Sequence, residues 1–558
     1  MRGYYDESLK VTKENIEGLM KELFEIKIFN VQELEEFILK YSELSVIINE
    51  EEAWKYINMT RFANEKKYSD DFNDYYANVF SKYEAESFKL NKKIYENKFF
   101  EELPKERYKN YKLILSNEIE MFEEKNIPLQ IKEIELSTKY GEMNSKMTVE
   151  FMNETYTLAQ MKKFLKDSDR KIRKNAWKTI NKRLEEDHMV LENLFDELKG
   201  IRVEMAENKG YQNYRDYMHD LKGRFSYTPE DLYKFHDAVE KIVVPFLKEL
   251  HEEKKEKLDL DTLKPWDMDV DPDGIILKPF KDIEEFMKKS LNTLGRVKKD
   301  YEEKLKFMGK YEFLDLENRE GKAPGGYNYP LHETGAPFIF MNAVGLHDDM
   351  VTLMHESGHA MHSFATSDEA LISYKDTPSE VAELASMSME LMSMEAWDEF
   401  YTDDTELKKA KLDQLYRTME ILPWVMIVDS FQHWIYLNPG HTSIERDKKF
   451  GEIMDRFNTG VDWEGLSKEK QMRWLMQLHI FEVPFYYIEY AISQLGAIAI
   501  YKNYKGNKET GLNKYNEFLK LGYSKPVDEI YKTAGINFDF SEENLKRLVD
   551  FIRLELKK

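Results

Sequence analysis

Helix breakers are scarce in this chain. It holds 24 glycines and 15 prolines in 558 residues, about 7% against a usual ~12%. Charged residues make up 34% and apolar residues 42%. Such a chain favours long amphipathic helices, each burying one apolar stripe, and its length suits two to four lobes at roughly 150 residues each. In "NIEGLMKELFEIKIF", Ile16, Leu19, Met20, Leu23 and Phe24 recur at helical spacing. In "NVQELEEFILKY", Asn30 and Glu33 form a capping pair at a second helix start.

Two stretches break this pattern. Across 127–156 apolar residues alternate, as at Met147, Val149 and Phe151. This predicts a small hairpin, followed by a helix capped by Thr157 and Gln160. A boundary is placed here, between an N-terminal helical region, 1–156, and a second region, 157–558. Across 258–345 turn residues gather. "LDTLKPWDMDVDPDGIILKPF" reads as a loop and "PFIFMN" as a short strand. The glycines before that strand fit either simple tight turns or a substrate-facing loop beside an edge strand.

The formal net charge is −23 and there is no cysteine. The acidity argues against a nucleic-acid partner, because phosphate binding needs a basic face. Disulfides, thiolate zinc sites and a cysteine nucleophile are excluded. The first 19 residues carry no apolar run of signal-peptide length. "AISQLGAIAIY" is too short to span a bilayer. A soluble cytoplasmic monomer with no membrane partner is expected.

The chemistry concentrates in "VTLMHESGHAMHS", Val351 to Ser363. Asp348 and Asp349 suit a helix start before it. Residues i and i+4 share a helix face, so His355 and His359 can present imidazoles to one ion. Glu356 lies about 100° further round, beside the ion rather than on it, where it can take a proton from a water. Gly358 is expected to leave room next to the ion. A catalytic zinc takes three protein ligands and one open position. A third histidine six residues after His359 is absent, since position 365 is Ala. His362 is assigned to packing or solvent, not metal.

Further on, Thr377, Pro378 and Glu380 fit a helix start, with Glu380 as the capping return. Glu383 and Glu390 then fall within ~20° on one helix face, among Ala, Leu, Ser and Met. Buried carboxylates need partners. Glu383 is therefore assigned as the third zinc ligand. Glu390 either orients a histidine or forms a buried salt bridge. A thermolysin-like spacing would put the ligand near Pro378 or Ser379, which cannot serve.

"HESGHAMHS" followed by "PSEVAELASMSMELM", with "GAPFIFMN" upstream and "QLHIFEVPFYYIEYAISQLGA" downstream, resembles the M3 family of zinc oligopeptidases, in its oligoendopeptidase F and Pz-peptidase branch. The resemblance is strong over about 320–500. It implies a mainly α fold, two helical lobes flanking a deep substrate channel, and a small β-sheet near the active site. It implies one Zn²⁺ per chain and short peptide substrates. It also implies that a histidine and tyrosines of the later segment face the metal. By position these are His479, Tyr487 and Tyr490, with Tyr486 and Tyr487 left as alternatives; a tyrosine-rich core helix is the competing reading. Tyrosine hydroxyls can donate to an oxyanion. Substrate is expected to align on the 336–342 strand, touching Gly335, Ala336, Phe338 and Tyr486. An exopeptidase of the same helical superfamily, or a non-catalytic zinc-containing binding protein, are the alternatives.

Overall fold

Asn30 accepts from the Glu33 amide at 2.9 Å, while the Glu33 carboxylate accepts from the Phe29 amide at 2.8 Å. This reciprocal cap starts the helix Val31–Arg61. The computed structural model describes residues 3–558. Most of these residues are helical, and no described helix is long and apolar enough to cross a membrane. Helix Lys13–Glu25 buries Ile16, Met20 and Leu23. Phe24, read from the sequence as part of that stripe, is instead 52% exposed.

The chain forms two compact units, each assembled from separate segments. One comprises Met1–Glu120, Leu277–Lys411 and Gly496–Phe538; the other comprises Met121–Ile276, Leu412–Leu495 and Asp539–Lys558. Compactness therefore groups segments that a linear division at 156/157 keeps apart.

In the second unit, residues 127–146 are a helix, not part of an alternating strand. The hairpin follows as β1 (Thr148–Phe151) and β2 (Glu154–Thr157), antiparallel, with Phe151 opposite Glu154. Its two-residue turn puts Met152 and Asn153 at φ 52° and 67°, as a tight turn matched to strand twist requires. The Thr157–Gln160 capping box forms as expected, at 3.2 and 2.9 Å. The 258–276 loop is anchored by a 3₁₀ turn, Pro265–Asp267. Buried Asp267 accepts from Arg170 and Arg173 there.

The first unit holds the larger sheet, β3 (Leu314–Glu317), β4 (Tyr327–Leu331) and β5 (Ala336–Ala343), in the order β3-β5-β4. β5 runs antiparallel to β4 and parallel to β3. The strand predicted at "PFIFMN" is thus present but interior, not an edge. Phe338 and Phe340 are fully buried in a cluster with Ala53, Ile57 and Leu331. Gly335, at φ 72°, closes the β4–β5 hairpin by donating to the Leu331 carbonyl at 2.8 Å. Glu50 accepts from the Glu333 and Thr334 amides of the same turn at 2.5 and 2.8 Å.

Candidate active site

The motif helix, His347–Ala365, leaves β5 through a short turn. The Asp349 carboxylate accepts from the amides of Val344, Gly345 and Leu346 at 2.8–2.9 Å, fixing the turn that leads from β5 into the helix through its N-cap Leu346. The carboxylate helix, Ser379–Ser393, begins later than a Thr377 cap predicts. Pro378 sits in the cap position and makes no side-chain cap bond.

The two helices pack closely because of Gly358. A Cβ there would lie 2.6 Å from Ser386 Cα and 2.7 Å from the Ala385 carbonyl oxygen. The space it leaves is taken by neighbouring backbone; room for the ion is not its use. Tyr515 donates to that same Ala385 carbonyl at 2.8 Å.

This packing brings His355, His359 and Glu383 together, one ligand atom from each within 4.8 Å of the others. Glu383 Oε2 lies 3.3 Å from His355 Nε2 and 3.8 Å from His359 Nε2. Zinc–ligand bonds of ~2.0–2.1 Å in a tetrahedron separate ligand atoms by ~3.3–3.4 Å. The donor set and spacing therefore fit zinc. His355 Nδ1 meets Glu390 Oε1 at 2.6 Å, and Ser386 Oγ donates to Glu383 Oε2 at 3.0 Å. Glu356 is buried and outside the converging triad. β4 reaches it through Asn328, whose Nδ2 donates to the Glu356 carbonyl at 3.2 Å. His362 is buried against Phe518, and burial pushes its pKa down to about 4; it packs.

The electrostatics of the cluster favour a cation. Burial opposes charge on His355, yet Glu383 and Glu390 outweigh it and hold that ring well above the usual histidine range. Burial also opposes ionisation of Glu383, but His355 pulls it down to about 2. Burial and the His355 charge push His359 down to about 3. Without metal, one proton on His355 thus offsets one of the two carboxylates on its ring and leaves a net negative charge. Burial, helped by Glu383 and Glu390, pushes Glu356 up to about 7.

A second cluster lies in the other unit. His479 is on the short helix Leu478–Glu482 and Tyr490 on the helix Ile488–Gly506; Tyr486 and Tyr487 lie in the turn between them. They still gather around His479, whose ring centre is 4.6 Å from that of Tyr487, 5.9 Å from Tyr490 and 6.1 Å from Tyr486. Phe485, at φ 61°, makes the turn. Gln432 accepts its amide at 2.8 Å, and Arg224 donates to its carbonyl. Buried Arg202 donates to the Ile480 and Phe481 carbonyls at 2.9 and 2.5 Å.

Trp424 Nε1 lies 2.9 Å from Gln477 Oε1, and Gln477 Nε2 lies 2.6 Å from His479 Nδ1. An indole only donates, so the amide oxygen faces Trp424 and its NH₂ faces His479. Nδ1 must then accept, which assigns the ring proton to Nε2. Burial lowers His479 to about 4 and raises Tyr487 to about 12, so both stay neutral donors near pH 7. Trp424, Arg202, Arg224 and Gln432 carried no motif signal in the sequence; Gln477 opens the quoted "QLHIFEVPFYY" stretch, but nothing there marked it as the partner of His479. Of the residues assigned to substrate, Ala336 and Phe338 are buried, so their side chains do not face a ligand.

A helix with H-E-x-x-H, joined by a glutamate from a later helix, is the arrangement of a helical metallopeptidase. The family model "Peptidase family M3" matches residues 163–550, and the chain belongs to that family. It is 26% identical over 546 residues to an oligoendopeptidase F homolog of Lactococcus lactis subsp. lactis, covering 89% of this chain and 85% of that one. It is 25% identical over 547 residues to a plasmid oligoendopeptidase F of Lactococcus lactis subsp. cremoris, with the same coverage. The solved structure of Pz peptidase A with an inhibitor shares the fold, with a TM-score of 0.88 at 24% identity, covering 99% of this chain and 98% of that one.

Proposed function

We propose that this M3 peptidase is a zinc-dependent oligoendopeptidase acting on short, unstructured peptides. The observation that carries this is the convergence of His355, His359 and Glu383, with buried Glu356 next in sequence to His355 but outside the triad. The triad would hold one Zn²⁺, which when bound supplies Lewis acidity toward water and the scissile carbonyl. Glu356 takes a proton from the attacking water and gives it to the leaving amine. Its elevated pKa suits a group that accepts and returns a proton near neutrality. Glu390 accepts from His355 Nδ1–H, leaving Nε2 free to ligate. His479 through Nε2–H, and the hydroxyls of Tyr490 and Tyr487, are donors of the kind an oxyanion needs; their assignment to that role rests on the family likeness. β5 is interior, so the exposed-edge role in binding an extended peptide passes to β4, whose Asn328 bonds Glu356. Gly335 would shape the turn at the end of that strand.

The test is an internally quenched peptide blocked at both ends. Zinc-loaded protein should cleave it, chelation should stop cleavage, and added zinc should restore it. Glu356→Gln should keep its zinc and lose activity by at least ~10²-fold. Near wild-type turnover by Glu356→Gln would remove the assigned base. An intact blocked peptide beside trimming of an unblocked one would make the enzyme an exopeptidase.

A further inference from the structure

We propose that His188, Glu192 and Asp447 form a second divalent-metal site, of zinc class, that pins two helices together. His188 and Glu192 stand at i and i+4 on the helix Arg170–Asn208, and Asp447 comes from the helix Ser443–Arg456. One ligand atom from each lies within 4.8 Å of the others. His188 Nε2 is 2.7 Å from Asp447 Oδ2 and 3.5 Å from Glu192 Oε1. One imidazole nitrogen with two carboxylate oxygens is a donor set suited to zinc and its neighbours in the divalent series.

The independent observation is Glu192 itself. Its side chain is 1% exposed, and Oε1, the oxygen turned toward His188, is shielded from water without a hydrogen-bond partner. Such an oxygen is costly to leave unmet. The other oxygen of each carboxylate is anchored. Arg446 pairs with Glu192 Oε2 and also with Asp196, which Lys199 shares. Trp474 Nε1 donates to Asp447 Oδ1 at 2.9 Å. Each acid is thus oriented from behind with one oxygen facing the cluster, as outer partners orient metal ligands. Arg446 offsets Glu192, which leaves the charge of Asp447 for a cation to balance. His188 and Asp447 are 20% and 15% exposed, so water can complete the coordination. Binding needs His188 Nε2 and Asp447 Oδ2 to separate to the ~3.3 Å of a zinc tetrahedron.

The experiment counts metal on the full chain, stripped with chelator, equilibrated with Zn²⁺ and desalted. Wild type should hold two equivalents, His359→Ala one, and His359→Ala combined with Asp447→Asn none. Asp447→Asn alone should hold one equivalent and hydrolyse peptide within about twofold of wild type. Asparagine keeps the volume and an oxygen for Trp474. Added Zn²⁺ should raise the Tm of His359→Ala, and that rise should vanish on adding Asp447→Asn. A single equivalent in wild type, or an unchanged count in Asp447→Asn, would overturn the proposal and make the cluster a polar network of His188 with its two acids.

Discussion

At His355 two carboxylates share one ring. Glu383 approaches Nε2 and Glu390 approaches Nδ1 at 2.6 Å. A neutral ring that donates Nδ1–H to a carboxylate is a better ligand through Nε2. Glu390→Gln keeps the size and removes that charge. Zinc affinity, read by competition with a chromogenic chelator, should fall about 10–100-fold; unchanged affinity would show that Glu390 only packs. The pairing was legible because Glu383 and Glu390 stand seven apart on one helix. The Gln477–Trp424 relay behind His479 was not, since its residues lie 53 positions apart and Trp424 belongs to no motif.

Between elements, Gly358 sets the distance from the motif helix to the carboxylate helix. The sequence showed a glycine beside the metal motif but not what occupied its space. Gly358→Ala would press a methyl group into Ser386 Cα and the Ala385 carbonyl, backbone atoms that cannot swing away. Destabilisation of about 1–3 kcal/mol is expected from such overpacking, measured by urea unfolding. Bound zinc should fall with it, because Glu383 rides on the displaced helix; full zinc retention would separate Gly358 from the site. The same scale explains the strand correction. Local alternation identifies a strand, but β5 became interior only when β3 and β4 paired on either side of it.

Across the whole molecule, buried titratable groups set an acid limit to stability. His251 is buried between the Thr459 carbonyl and the Tyr416 hydroxyl, at 2.7 and 2.6 Å, and burial lowers its pKa to about 4. The unfolded ring takes a proton below ~6.5, so stability falls as pH drops from there toward 4. Asp315, ringed by Arg61, Arg319 and Lys322, stays ionised well below the usual carboxylate range although burial opposes this. Its contribution is present above the unfolded pKa of ~3.9 and lost as pH falls further. Zinc-free protein should therefore lose urea resistance between pH 7 and pH 5. His251→Gln should remove on the order of 1–2 kcal/mol of that dependence; an unaltered pH slope would mean that His251 titrates normally. Neither group was identifiable as buried from its neighbours in sequence. The sequence by itself determined the helical class, the H-E-x-x-H face and the Glu383–Glu390 face, because each depends on spacing along one helix. Tertiary structure decided which strand is interior, what fills the space at Gly358, and which distant side chains hold His479. Those depend on contacts between segments that only folding brings together.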